Sequence, residues 1–190
     1  MATRFPRMMT ARRSLTWLLF MVAIPAMSQG LSPGKTVWNR DIYRLVRADG
    51  TSFGIKALAA LKVVKIETAP NGEPQVWFDV EGKGQARVSD TDLARIHDKR
   101  ASGKLPDGWS WVYDVDPHTL HPEWDEKFWN AIVARTLIHD MTPDMVRMAF
   151  GEPDRINVIK RPDSASEMWL YSTGNIWFVD GKLFTWQAGP

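Results

Sequence analysis

Two histidines three residues apart, His118 and His121, lie in the run Tyr113-Asp-Val-Asp-Pro-His-Thr-Leu-His-Pro-Glu123 beside Asp114, Asp116 and Glu123. Imidazole and carboxylate together are suitable ligands for an ion such as zinc, which activates water for hydrolysis. The spacing matches no recognised metal site, and Pro117 and Pro122 make the segment read as loop. Surface loop histidines are therefore the first reading, and a metal-dependent hydrolase using His118 and His121 is the alternative. Asp114 and Asp116 are a carboxylate pair of the kind used in acid–base work, but no further motif accompanies them. His97 and His139 have no local serine–acid arrangement that would support nucleophilic catalysis. Gly34-Lys35-Thr36 ends like a phosphate loop, yet position 29, where the first glycine is required, is Gln29. With no cysteine in the chain, disulfides, thiolate metal sites and cysteine nucleophiles are excluded. The residues read as non-enzymatic, with no cofactor and no bound metal.

The chain begins with a basic stretch, Arg4, Arg7, Arg12 and Arg13, followed by an apolar run from Leu15 to Ala26 and small residues around Ser28. This is the pattern of a secretory signal peptide over residues 1–28, cleaved near Ser28. The run is shorter than the ~20 apolar residues that span a bilayer, so contact with the membrane is expected to be transient, an uncleaved anchor being the alternative. The expected location is the periplasm, in a form that is not a lipoprotein because no cysteine can carry a lipid. Removing the four arginines from 24 basic residues leaves 20 against 22 acidic ones, a net charge near −2. The basic character of the whole chain belongs to its export segment and does not point to nucleic acid.

Positioning falls to two sets of elements in an α+β chain. Over residues 29–100 the signals are mostly β. Tyr43–Arg47 and Ser52–Lys56 flank a turn at Asp49-Gly50, Lys62–Glu67 is β-rich, and Val76, Phe78 and Val80 alternate onto one face. Ser89, with Asp92 three residues on, can cap a helix from Asp90. These short strands, with the run Ala86-Arg-Val-Ser-Asp-Thr-Asp-Leu93, resemble an SH3-like barrel, a module that in bacterial envelopes often binds peptides or wall material. Phe53, Trp77 and Phe78 would line such a groove or fill the barrel. Residues 101–121 open with small, polar, Pro- and Gly-bearing sequence and read as a linker.

Residues 122–190 carry the most marked signals. Pro122 and Glu123 can start a helix running to about Arg135, with Trp124, Phe128, Ala131 and Ile132 as its buried stripe. Thr142 and Pro143 start a second helix, which Gly151 and Pro153 end. A full capping box would need Glu or Gln at position 145, which is Met145. Three strands follow, the last two joined by Asp180-Gly181 in a type I′ turn. That turn sets Phe178 opposite Leu183 and Trp177 opposite Phe184. Ile176, Phe178, Leu183 and Thr185 then share one face, and Trp177, Val179, Phe184 and Trp186 the other.

Met141-Thr142, Val146, Phe150-Gly-Glu-Pro153, Glu167, Trp169, Tyr171, Gly181 and Trp186-Gln187 resemble the SmpA/OmlA (BamE-like) domain. Asp140 stands where that family customarily has glycine. The resemblance implies a β-lactamase-inhibitor-protein-like fold, two helices on a three-stranded antiparallel sheet. It also implies a non-enzymatic module of the bacterial envelope, in outer-membrane or envelope assembly. The expected partner is an envelope protein or cell-wall component. The residues expected to meet it are Trp169, Tyr171, Trp177, Phe184 and Trp186, since an exposed aromatic offers a large contact area at low entropic cost.

Overall fold

Six short strands arise where apolar and polar residues alternate over positions 36–88. They are β1 (Thr36–Asn39), β2 (Tyr43–Val46), β3 (Ser52–Ile55), β4 (Ala60–Thr68), β5 (Pro74–Val80) and β6 (Gly84–Val88). The structure is a computed structural model that describes residues 30–189 apart from 71, 73, 107–108 and 162–163. The expected signal peptide at 1–28 lies outside the described residues. Helix α1 (Asp90–Ala101) follows, with the Ser89 hydroxyl accepting from the Asp92 amide at 3.2 Å. A two-residue strand, β7 (Val112–Tyr113), completes a curled antiparallel sheet in the order β3-β2-β6-β5-β4-β1-β7.

Val76, Phe78 and Val80 point inward as their alternation requires, and pack with Leu45, Leu61, Val63, Ala86 and Ile96. The segment read as a linker does more than connect. Trp111 and Val112 are buried in this first core, and the Trp111 ring stands edge-on to Tyr43 and Phe78 at 5.6 and 5.8 Å. Linker composition holds only for the first part of 101–121; the apolar area of the tryptophans beyond it is too large to leave in water.

The second half contains α2 (Pro117–Leu120), α3 (Glu126–Ala134) and α4 (Pro143–Phe150), then β8 (Arg155–Arg161), β9 (Ser164–Tyr171), β10 (Gly174–Val179) and β11 (Lys182–Ala188). Helix α3 starts later than Pro122, behind a turn ending at its N-cap, Asp125. Its buried residues are Trp129, Ala131 and Ile132, while Trp124 and Phe128 are only partly covered. The second sheet has four antiparallel strands, β11-β10-β9-β8, where three were expected. The fourth is Arg155–Arg161, where the β-branched Ile156, Val158 and Ile159 favour a strand.

Helix α4 has the reciprocal cap that its sequence appeared to lack. The Met145 amide donates to the Thr142 hydroxyl, and the Thr142 amide points at the Met145 sulfur, each at 3.4 Å. A thioether thus stands in, as a weak acceptor, for the usual Glu or Gln. The hairpin turn is as expected, with Asp180 and Gly181 at φ 48° and 73°.

The register beyond that turn differs from the expectation. Phe178 faces Leu183, but Trp177 faces Thr185 and Ile176 faces Trp186, because a bulge adds one residue to β11. Phe184 and Thr185 therefore lie together on the outer face, and Trp186 moves to the helix side. At the far end of this hairpin Gly174 has φ 150°, and a Cβ there would collide with the Gln187 carbonyl oxygen. Gly174→Ala is expected to cost about 1–3 kcal/mol, read from the urea midpoint. Gly54→Ala, in open space on β3, serves as the control and should stay within about 0.5 kcal/mol.

Helices α3 and α4 pack Ile132, Met145, Val146 and Ala149 against Trp169, Ile176, Phe178 and Leu183. Ala57 and Leu58, between β3 and β4, also belong to this second core. A polar contact between the halves centres on the buried Asp41. The Asp41 carboxylate, whose side chain is 8% exposed, accepts from Lys99 at 2.8 Å and from Arg135. Arg135 closes α3 in the left-handed conformation, at φ 54°, and the Arg40 guanidinium lies 4.2 Å from the Tyr113 ring centre. Among the described residues, no helix is long and apolar enough to cross a membrane.

Candidate functional site

The structure distributes the five aromatics expected to bind over three environments. Trp169 is fully buried. Its indole N–H donates to Glu167 at 2.8 Å, its ring meets Phe178 at 4.7 Å, and the Arg147 guanidinium covers it at 4.4 Å. It holds the core and cannot meet a partner. Tyr171 is half-buried against the same core, and its hydroxyl donates to the Gly151 carbonyl at 2.9 Å, which fastens the end of α4 to β9. Burial, then the nearby Glu152 carboxylate, pushes the Tyr171 hydroxyl well above its ordinary pKa. It is a neutral donor at any ordinary pH. Trp186 sits at the rim of the helix side, its ring 5.4 Å from His139.

Trp177 and Phe184 remain on the outer face. Alternation and register place Met168 and Asn157 in line with Trp177, and Ser166 and Ile159 in line with Val179, with Leu170 one pair further along β9. Trp177, Met168 and Leu170 are half-buried, and Val179, Ile159 and Phe184 are exposed, Phe184 at 63%. None of these six packs against either core. Large apolar residues on a sheet face without a covering layer make that face a candidate contact surface. The contributions of Met168, Leu170 and Ile159 were missed by sequence reading, although the alternation Met168-Trp-Leu-Tyr171 holds the signal.

The histidine segment has a different organisation from a metal centre. Asp116 caps α2, and its carboxylate meets the His118 Nδ1 at 2.8 Å; the His121 Nδ1 lies 3.4 Å from Glu123. Each imidazole is laid on its own tryptophan. His118 is 4.1 Å from Trp129, His121 stacks on Trp124 at 4.0 Å, and the two indoles are 5.0 Å apart. The four rings form one ladder across α2 and the start of α3. Asp114 is held by Lys35 at 3.0 Å and does not join Asp116. Among the described residues, no group of three or more histidines and carboxylates is placed to hold a metal ion.

In the first half, Phe78 is fully buried, whereas Trp77 lies on the outer surface beneath Lys65 at 5.0 Å. Phe53 is flanked by Arg47 and Lys83 at 4.5 and 5.1 Å. These three do not line one groove. The fold and its surfaces thus define an α+β protein with two antiparallel sheets and an open apolar face on the second. Protein-family models, curated proteins and solved structures contain no match to the chain.

Proposed function

We propose that this chain is a non-enzymatic binding or scaffold module of the bacterial envelope, with the outer face of the second sheet as its contact surface. The observation that carries the reading is that Trp177, Phe184, Val179, Met168, Leu170 and Ile159 share that face and pack on neither core. The export pattern of the first 28 residues supports a periplasmic location. The likeness of the second half to SmpA/OmlA (BamE-like) domains supports a place in envelope assembly. In this reading the first sheet is an SH3-like barrel and the second half a BLIP-like layer of helices on a sheet, enlarged by β8. Of the residues that carry the likeness, Met141, Val146 and Trp169 are buried and hold the packing, so these three speak for the fold and leave the partner to the outer face. The partner is an envelope protein or a cell-wall component.

The test is site-directed photocrosslinking in intact cells from position 185, between the two aromatics. The native chain should yield a discrete adduct, and the Trp177→Ala/Phe184→Ala variant, folded by circular dichroism, should lose it at least tenfold. Unchanged adduct formation in the double variant would remove this face as the contact surface.

A further inference from the structure

The second sheet ends on two edges that are treated differently. On β11 the edge is occupied: the Asp140 amide donates to the Leu183 carbonyl at 3.1 Å, and the Leu183 amide donates to the Met141 carbonyl at 2.7 Å. The bulge at Phe184 further twists that strand, a common way of closing an edge to new partners. On β8 neither device is present. Its seven residues pair with β9 in unbroken register from Arg155↔Leu170 to Arg161↔Ser164. Among the described residues, no backbone bond joins its other side. At ~3.3 Å per residue it offers about 23 Å of straight edge. The free strands of the first sheet are shorter, four residues in β3 and two in β7.

The apolar side chains of β8 are those of a strand awaiting a neighbour. Ile156 and Val158 lie on the helix side beyond the reach of α3 and α4, and Ile159 lies on the outer face; Val158 and Ile159 are each 52% exposed. The strand reads Arg-Ile-Asn-Val-Ile-Lys-Arg, three cations and no anion. Among the described residues, Asp154, next to Arg155, is engaged by Lys104 at 2.5 Å, and Glu167, in register with Val158, by the Trp169 indole at 2.8 Å. A second copy is a poor occupant. Antiparallel self-pairing about Val158 would set Arg155 against Arg161, and parallel pairing would stack each cation on itself, both destabilising.

Resting on the reading of the chain as a binding module, we infer that the free edge of β8 takes an extended segment of another protein, apolar and acidic in alternation, as an added strand. Backbone hydrogen bonds supply the affinity, Ile156 and Val158 contact the apolar face of the segment on the helix side, and Arg155, on the outer face, meets its acidic face.

The probe is a pool of labelled nine-residue peptides alternating Glu or Asp with Val, Ile or Thr, titrated by fluorescence anisotropy against the full chain. Saturable binding is expected. N-methylation of alternate peptide amides should weaken it at least tenfold, and Arg155→Glu, at an exposed side chain, at least fivefold. Replacing the acids with Lys should abolish it. The Trp177→Ala/Phe184→Ala variant should bind the pool as the native chain does. No binding by the acidic pool, or equal binding by the N-methylated or the Lys pool, overturns the proposal, as does concentration-dependent self-association that Arg155→Glu strengthens. Failure here with the position-185 adduct intact removes the strand-addition site and leaves the outer face standing. Loss of the adduct with peptide binding intact does the reverse.

Discussion

Trp169→Ala lowers the stability of the folded chain by about 3–5 kcal/mol, the range for truncating a large aromatic in a closed core. The indole is sealed among Phe178, Arg147 and the second core, and its N–H is satisfied by Glu167. Its removal leaves a cavity and strands the Glu167 acceptor. Trp177→Ala, eight residues on and on the opposite face of the same sheet, should cost about 1 kcal/mol or less, since that side chain packs on neither core. Urea denaturation of the two variants against the native chain measures the difference. Equal losses would mean that the outer face is as buried as the helix side, and would remove the ground for the proposed contact surface.

Asp41→Asn is expected to cost about 2–3 kcal/mol at pH 7. That lies below the ~3–5 kcal/mol for breaking a fully buried ion pair, because Lys99 and Arg135 keep part of their solvation, at 38% and 29% exposure. Burial of Asp41 works against its ionisation. The hydrogen bond from Lys99 and the charges of Arg135 and Lys99 together outweigh that penalty, and the carboxyl is held below its ordinary value. The folded pKa therefore lies below the unfolded one. The stabilisation is whole above the unfolded pKa of ~3.9 and is lost as pH falls through the lower folded value. The stability gap between native and Asp41→Asn chains should be full at pH 5–7 and should narrow below about pH 4, as thermal midpoints measure. A gap that is constant down to pH 2.5 would assign Asp41 a packing role only.

Local signals wrote much of this fold into the sequence. Val76-Trp-Phe-Asp-Val80 sorts itself onto two faces by alternation alone. Ser89 with Asp92, Thr142 with Pro143, and Asp180-Gly181 each act within four residues and stand where their chemistry places them. What was hidden depends on contacts distant in sequence. The bulge at Phe184 has no glycine to announce it, so the face assigned to Trp186 was reversed. The burial of Trp169 but not Trp177 follows from which face the helices cover, and both residues read as strand aromatics. Asp41, Lys99 and Arg135 are separated by 58 and 94 positions from one another's influence on the carboxylate, and nothing local marks them as a group. The histidines were legible as a cluster, but their use as caps and stacking partners became visible only with Trp124 and Trp129 beside them.

The crossing of Ala57 and Leu58 from the first sheet into the second core, with Leu58 held at φ 61° by its amide on the Asn39 carbonyl at 2.8 Å, bears on how the chain can be divided. A plug borrowed across a boundary removes autonomy from both sides: the donor keeps a strained apolar loop with nowhere to go, and the acceptor keeps a hole. Recombination that moved either half alone into another protein would have to carry its own replacement for those two residues. The two parts are therefore expected to melt in a single transition, even though each owns a sheet.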